Sequence, residues 1–288
     1  MSTSNLYTPE DITSTYEQVH DLLLTRYIIR SYSTNKSDIR DVALDRLIIN
    51  NVKRILELGC GYGFFIEKLK GLLHDSAVII GIDMVENNRE PFLHSVASIQ
   101  YKGEFITGSA DCIKEMPNAS FDMIITSYSL YFFPYLLPEI SRILAPDGVF
   151  IAITHSKNTI REVIQFISSC MKRAGINKQE ESIINKLFLA FSGEEGKIQL
   201  EKYFNRVEKL DFKNSMIFPP EHIDDLIFYI QKKRNLIFKE VLDLMPKKLN
   251  DVQLCVETSI IEYAKKHGTM TLNKDDAVFR CYRPKELP

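Results

Sequence analysis

The chain has no tryptophan, no apolar run approaching about 18 residues and no excess of either charge. Without such a run there is no candidate membrane-spanning helix, and the polar first residues lack the basic-then-apolar pattern of a secretory signal. Lys and Arg number 36 against 38 Asp and Glu, so no global field attracts a nucleic-acid backbone. The five cysteines (60, 112, 170, 255, 281) are odd in number and form no C-x-x-C pair, which predicts reduced thiols. Neither they nor the six histidines (20, 74, 94, 155, 222, 267) show metal-ligand spacing, so no metal is expected. No repeat or low-complexity segment interrupts the chain. These absences predict a cytoplasmic protein that engages neither membrane nor nucleic acid, and they leave its oligomeric state open.

What is present is ordinary globular material with one unusual stretch. A chain of 288 residues, 45% apolar and 26% charged, can bury one large core, or one core and a cap. In Lys53-Arg-Ile-Leu-Glu-Leu-Gly-Cys-Gly-Tyr-Gly63, Ile55, Leu56 and Leu58 make a short buried strand, and Gly59, Gly61 and Gly63 make the turn after it. A helix is expected over Phe64–Leu72, its N-terminus offering free N–H groups. A second apolar run, Ile79-Ile80-Gly81-Ile82, ends in Asp83, an acid able to accept from both hydroxyls of a ribose. Strand, glycine turn, helix, strand and acid make a nucleoside-binding unit. Cys60, inside the turn, reads as a small space-filler rather than a nucleophile.

A dinucleotide fingerprint would place its third glycine where Phe64 stands. Here G-x-G-x-G follows Glu57, whose carboxylate would repel a pyrophosphate but suit an ammonium or sulfonium. The stretch resembles the first motif of the class I S-adenosylmethionine-dependent methyltransferases. The resemblance implies that Glu57 and the Gly59–Gly63 turn face the methionine half of S-adenosylmethionine, and that Asp83 holds the ribose. Phe105-Ile-Thr-Gly-Ser-Ala-Asp111 resembles the third-strand segment of that family, where Asp111 would accept from the adenine amino group and the Cys112 N–H would donate to the ring. Read alone, Asp111 is equally a helix N-cap. Ser120–Tyr128 resembles the fourth strand with the loop beside the transferred methyl, and Leu144–Ile153 the turn into the fifth strand. The implied cofactor set is Glu57, Gly59, Cys60, Gly61, Gly63, Asp83, Met84, Ala110, Asp111, Cys112 and Ser127. The resemblance covers roughly residues 50–156.

It implies an α/β fold, a Rossmann-like doubly wound sheet that is mostly parallel with a C-terminal antiparallel hairpin, plus a helical cap. The expected divisions are an N-terminal helical lid segment at 1–35 and a cofactor-binding core at 36–156. A helical insertion of the cap follows at 157–205, then the last strands at 206–288 with a second insertion at about 219–267. Thr8-Pro9-Glu10-Asp11 starts a helix with a capping box and proline at its first position. Ile12, Tyr16, Val19, Leu23 and Tyr27 continue its stripe to about Ser31, and a second helix is expected over Asp38–Ile49. Pro219-Pro220-Glu221 opens a long helix that stops at Pro246, another spans about Val252–His267, and Arg206–Phe212 and Ala277–Tyr282 read as strands. Lys232-Lys233-Arg234 reads as the solvated face of that long helix.

Methyl transfer is a displacement at carbon that mainly needs alignment, an effect that can supply roughly 7–11 kcal/mol. A base is required only where the acceptor must shed a proton. His155, directly after the fifth strand, is the candidate base, since an imidazole is half-neutral near pH 6.5; a structural hydrogen bond to a backbone carbonyl is the alternative role. Tyr16, His20, Tyr27, Tyr128, Tyr131 and His155 are the expected acceptor-pocket residues. Thr126-Ser-Tyr-Ser129 lacks the Asn/Asp-Pro-Pro-Tyr tetrapeptide of enzymes that methylate base amines or glutamine, which favours a small-molecule acceptor methylated on oxygen or nitrogen. Two other classes stay open: a nicotinamide-dependent oxidoreductase, which Glu57 and the missing third glycine oppose, and a catalytically silent cofactor-binding scaffold.

Overall fold

The computed structural model describes residues 6–176 and 181–285. Among the described residues nine strands are formed: β1 Arg54–Leu58, β2 Val78–Asp83, β3 Lys102–Thr107, β4 Phe121–Ser127, β5 Leu144–His155, β6 Phe204–Phe212, β7 Ser215–Phe218, β8 Met270–Asn273 and β9 Asp276–Pro284. Seven of them make one sheet in the order β3-β2-β1-β4-β5-β9-β6. β1 pairs in parallel with β2 and β4, as do β2 with β3 and β4 with β5. β9 runs antiparallel between β5 and β6. The sheet is thus mostly parallel, with helices on both faces, and its chain order reverses between β1 and β4. Ligands of open α/β sheets bind outside the carboxyl ends of the strands at such a point.

The apolar runs of the central strands are divided by the two-residue period of the pleat. Leu56, Leu58, Ile80, Ile82, Ile124, Phe150 and Ala152 face one core, while Ile55, Ile79, Met123, Ile125, Ile151 and Ile153 face the other. The second core is closed by helices α3 (Ile39–Leu44) and α4 (Arg89–Ser98), through Ile39, Ala43, Phe92 and Val96. The first core is much larger. It includes α1 (Pro9–Tyr16), α2 (Val19–Tyr32), α5 (Leu137–Ile143), α6 (Arg161–Arg173), α7 (Ile183–Ala190), α8 (Gly196–Leu200), α9 (Ile223–Lys232), α10 (Arg234–Ile237), α11 (Lys239–Leu244) and α12 (Leu249–His267). The extra helices therefore gather on one side of the sheet. No described helix is long and apolar enough to cross a membrane.

Several local expectations are corrected. The Thr8–Asp11 capping box forms, with the Thr8 N–H 2.8 Å from Asp11 Oδ2, but the first helix breaks at Glu17 and Gln18 and restarts as α2. The second helix ends at Leu44 rather than Ile49, because Arg46 takes φ +58°. No α-helix follows the glycine turn. Gly63 and Gly71 both have positive φ, and the stretch between them forms only a 3-10 turn at Ile66–Leu69, with its two buried ends three residues apart. The helix expected from Pro219 to Pro246 is three short helices, α9 to α11. β7 and β8 form an unforeseen hairpin-like pair, and Thr34 donates its N–H to Ser215 O at 2.8 Å, tying the end of α2 to it. The thiol reading also changes: Cys170 on α6 and Cys255 on α12 are disulfide-bonded across a 5.9 Å Cα separation, while Cys60, Cys112 and Cys281 are free.

Candidate active site

A cavity of about 590 Å³ opens at the carboxyl ends of β1, β2 and β4, with α1, α2 and α9 over it. Of the residues expected to meet the cofactor, it is lined by Glu57, Gly59, Cys60, Gly61, Asp83, Met84, Ala110, Asp111 and Ser127. Gly63 and Cys112 lie outside it: a Cβ on Gly63 would meet Ser95 Cβ at 2.8 Å, and the Cys112 N–H already donates to Ser109 O at 3.2 Å. Of the expected acceptor residues, Tyr16, Tyr128, Tyr131 and His155 line the cavity. His20 is exposed and Tyr27 is 69% exposed, both outside it. The break at Glu17–Gln18 explains this, since it turns Leu22, Thr25, Arg26 and Ile29 of α2 inward instead.

The half of the cavity where the cofactor is expected is built from strand ends. Asp83 Oδ2 accepts the Gly61 N–H at 2.8 Å and Oδ1 accepts the Val85 N–H at 2.9 Å, so the acid also fixes the glycine turn against β2. Burial raises the Asp83 carboxyl above its ordinary range, and these N–H groups oppose the rise. Glu57 is 1% exposed and its Oε2 has no hydrogen-bond partner. Burial first and the Asp83 charge second push its carboxyl well above the usual range, against a smaller pull from Arg40. Ser127 Oγ is likewise buried and unpartnered. An added cation would relieve Glu57, and a ligand donor would satisfy both groups. Space is present too: a Cβ built on Gly61 meets nothing within 4 Å. These features fit S-adenosylmethionine, with its sulfonium and ammonium.

Asp111 stands at the outer rim. Lys114 at 2.6 Å, chiefly, and the hydroxyls of Ser109 and Tyr135 lower its carboxyl to about 2. Ser109, not Asp111, caps the short helical turn that follows.

The inner half holds a network with no counterpart in the sequence motifs. In the β5–β9 register His155 lies directly opposite Asp276, 121 residues away. His155 Nδ1 is 2.7 Å from Asp276 Oδ1, Tyr128 donates its hydroxyl to Asp276 Oδ2 at 2.8 Å, and Lys274 Nζ is 3.2 Å from both oxygens. Asp276 is therefore held ionised despite burial, chiefly by Lys274 and His155. His155 Nδ1 thus lies between an ionised carboxylate that can only accept, at 2.7 Å, and the Lys274 ammonium that can only donate, at 3.1 Å; the shorter contact assigns the proton to Nδ1 and leaves Nε2 as the acceptor of a neutral imidazole. Burial, with Lys274, lowers the His155 pKa below its ordinary 6.5, and Asp276 offsets part of that shift. The ring stacks on Tyr128 at 4.6 Å and Tyr131 at 5.8 Å, and Phe188 meets it edge-on at 5.7 Å. Tyr128 has φ +58°, a strained setting for an aromatic residue, and it is held there by its N–H on Ile153 O at 2.9 Å.

Asp276, Lys274, Lys233 and Tyr229 are lining residues that sequence reading missed. A signal existed for two of them. Leu226, Tyr229, Ile230 and Lys233 repeat at helical spacing on the inward stripe of α9, so Lys233 belongs with the buried face and not with exposed Arg234.

Residues 56–152 match a family model described as a methyltransferase domain. An uncharacterized methyltransferase of Schizosaccharomyces pombe is 24% identical over 173 residues, a match covering 55% of this chain and 63% of that relative. The matched region is thus less than two thirds of the relative's length. Among solved structures, the YcgJ protein of Bacillus subtilis aligns with a TM-score of 0.51 at 14% identity, covering 86% of this chain and 98% of its own. A putative methyltransferase from Bacillus halodurans also gives 0.51, at 12% identity, covering 85% and 99%. At these identities the structures speak for the fold, a Rossmann-like sheet. Residues 56–152, from β1 into β5, thus match a methyltransferase domain, and the glycine turn and acids at the ends of those strands resemble the class I S-adenosylmethionine-dependent methyltransferases.

Proposed function

We propose that the protein methylates a small-molecule acceptor on oxygen or nitrogen, using His155 as general base. The observation that carries this reading is the continuity of one cavity from Glu57, Gly61 and Asp83 to the imidazole of His155. Bound S-adenosylmethionine would supply an electrophilic methyl group on sulfur. Glu57 and Ser127 would hold its methionine half, Asp83 its ribose, and Asp111 with Ala110 would edge the adenine. The acceptor would lie among Tyr16, Tyr128 and Tyr131, where stacked and edge-on rings exclude water and fix its plane. As the acceptor attacks, its proton would pass to His155 Nε2, and the ionised Asp276 would stabilise the imidazolium through Nδ1–H. A silent scaffold would have no need of an imidazole held as a neutral acceptor in the cavity.

The helices over the cavity support a lid made by segments 1–35, 157–205 and 219–267. Tyr7 and Tyr16 line the cavity from the first and Tyr229 and Lys233 from the third, while the second contributes no lining residue and reaches the site only through Phe188, edge-on to the His155 ring. Tyr7 donates its hydroxyl to Leu236 O at 2.9 Å and Asp11 pairs with Lys239 at 3.0 Å, so the first and third segments are joined. Closure of such a lid excludes water. Amide hydrogen exchange in α1 and α2 is expected to slow severalfold with S-adenosylhomocysteine and acceptor together; unchanged rates would separate these helices from the reaction.

The reading is tested by calorimetry with S-adenosylmethionine, S-adenosylhomocysteine and NADPH, then by methyl transfer to a metabolite panel. Binding of NADPH alone would favour the oxidoreductase alternative. Asp276→Asn supplies a sharper test of the base. It removes the charge that raises the His155 pKa, so the acid limb of the rate profile should move to lower pH. Turnover should fall by at least about tenfold, because the imidazolium loses its counter-charge and the tautomer its anchor. A folded variant that loses turnover with its acid limb unmoved would assign Asp276 to structure alone.

A further inference from the structure

The inner half of the cavity contains more positive charge than its own acids balance. Lys274 and Asp276 form a compensated pair, and His155 is neutral. Lys233, at the end of α9, adds a second ammonium. Among the described residues its Nζ has no hydrogen bond or ion pair, and its one close partner is the ring of Tyr16, 4.2 Å from Nζ to the centroid. The acid that acts on it, Asp21, is already paired with Lys232 at 2.9 Å. Neighbouring Arg234 is exposed, so the basic stretch divides into two residues serving the surface and one serving the cavity.

A half-buried ammonium with only a ring for company is an expensive arrangement. Burial lowers the Lys233 pKa to about 8, with Asp21 opposing, yet the group stays mostly protonated at neutral pH. Phenols of Tyr16, Tyr131 and Tyr229 line the same region and are held neutral by burial above all; Tyr131 donates its hydroxyl to Tyr16, which leaves the hydroxyls of Tyr16 and Tyr229 able to donate to a ligand. An ammonium beside phenol donors in an aromatic cavity is built to receive a compact oxyanion. The opposite end instead presents the carboxyl groups of Glu57 and Asp83 to the cavity.

We propose that the acceptor carries an oxyanion, a carboxylate or phosphate, which Lys233 binds while the acceptor's nucleophile faces His155. The inference rests on the methyltransferase reading and adds the charge class of the acceptor. Lys233 is a binding residue in it and moves no proton.

The test uses the full chain saturated with S-adenosylhomocysteine and three aromatic probes: 4-hydroxyphenylacetate, phenyl phosphate and the neutral 4-hydroxyphenylacetamide. Calorimetry on the wild type should show at least one anion binding about tenfold or more tightly than the amide, and whichever anion does so names the oxyanion. Lys233→Met should erase that gap and Lys233→Arg should retain part of it. S-adenosylhomocysteine affinity should be unchanged in both variants, which also shows that they are folded. Equal binding of anions and amide, no binding of either anion, or a gap that survives Lys233→Met would overturn the inference. So would a loss of S-adenosylhomocysteine affinity in Lys233→Met, which would give Lys233 to the cofactor's own carboxylate. A wild-type protein that fails to bind S-adenosylhomocysteine would sink the methyltransferase reading as well. One that binds it without any anion preference sinks this inference alone.

Discussion

Replacing His155 by alanine should lower turnover of a phenol or amine acceptor by roughly 10²–10⁴-fold, the range for loss of a general base. S-adenosylhomocysteine affinity should change little, because the imidazole lies among Tyr128, Tyr131 and Phe188 and not beside Asp83. The wild-type profile supplies a second check whose sign follows from the site. Transfer requires neutral Nε2, and burial with Lys274 places the imidazolium pKa below 6.5. The rate should therefore be flat through neutrality and fall as pH drops through that lowered value. The limb should vanish in the alanine variant, leaving a low and nearly pH-independent rate in this range. A variant within a few-fold of wild type would leave alignment as the whole of catalysis, with the acceptor arriving already deprotonated.

The contrast between His155 and its partner shows what a single sequence reveals about such a site. His155 was legible because it ends a long apolar strand at the edge where ligands bind, a local fact. Asp276 was not, because its place depends on β9 inserting antiparallel between β5 and β6. Only that register sets it opposite His155, and Lys274-Asp275-Asp276 reads by itself as a polar turn. The same division runs through the fold. The parallel strands and the glycine turn were readable from apolar runs and short spacings. The helix breaks at Glu17–Gln18 and Lys233 carry no proline or glycine, so periodicity alone ran through them. The first break put His20 and Tyr27 on the surface. Lys233 shows a different failure: its inward spacing was visible, but a run of three basic residues suggested solvent.

Gly61→Val should abolish measurable cofactor binding, with a weakening of at least about a hundredfold in calorimetry. Two effects act together. Gly61 has φ +52°, a region that a β-branched residue enters only with strain. The space where its Cβ would project is open, and it is the cavity itself. The side chain would thus occupy ligand volume, and any relaxation of φ would pull the Gly61 N–H off Asp83 Oδ2, now 2.8 Å away. The expected ribose acceptor would be displaced along with the turn. Gly148→Val provides the control, because its Cβ would meet Leu144 Cδ1 at 2.8 Å and Asp122 O at 2.9 Å within the protein. Gly148 also lies outside the cavity lining. Overpacking of that kind costs about 1–3 kcal/mol of stability, so this variant should melt several degrees lower while its folded fraction binds S-adenosylhomocysteine normally. If Gly61→Val is folded and keeps wild-type affinity, the glycine turn does not approach the ligand, and the cofactor must lie elsewhere in the cavity.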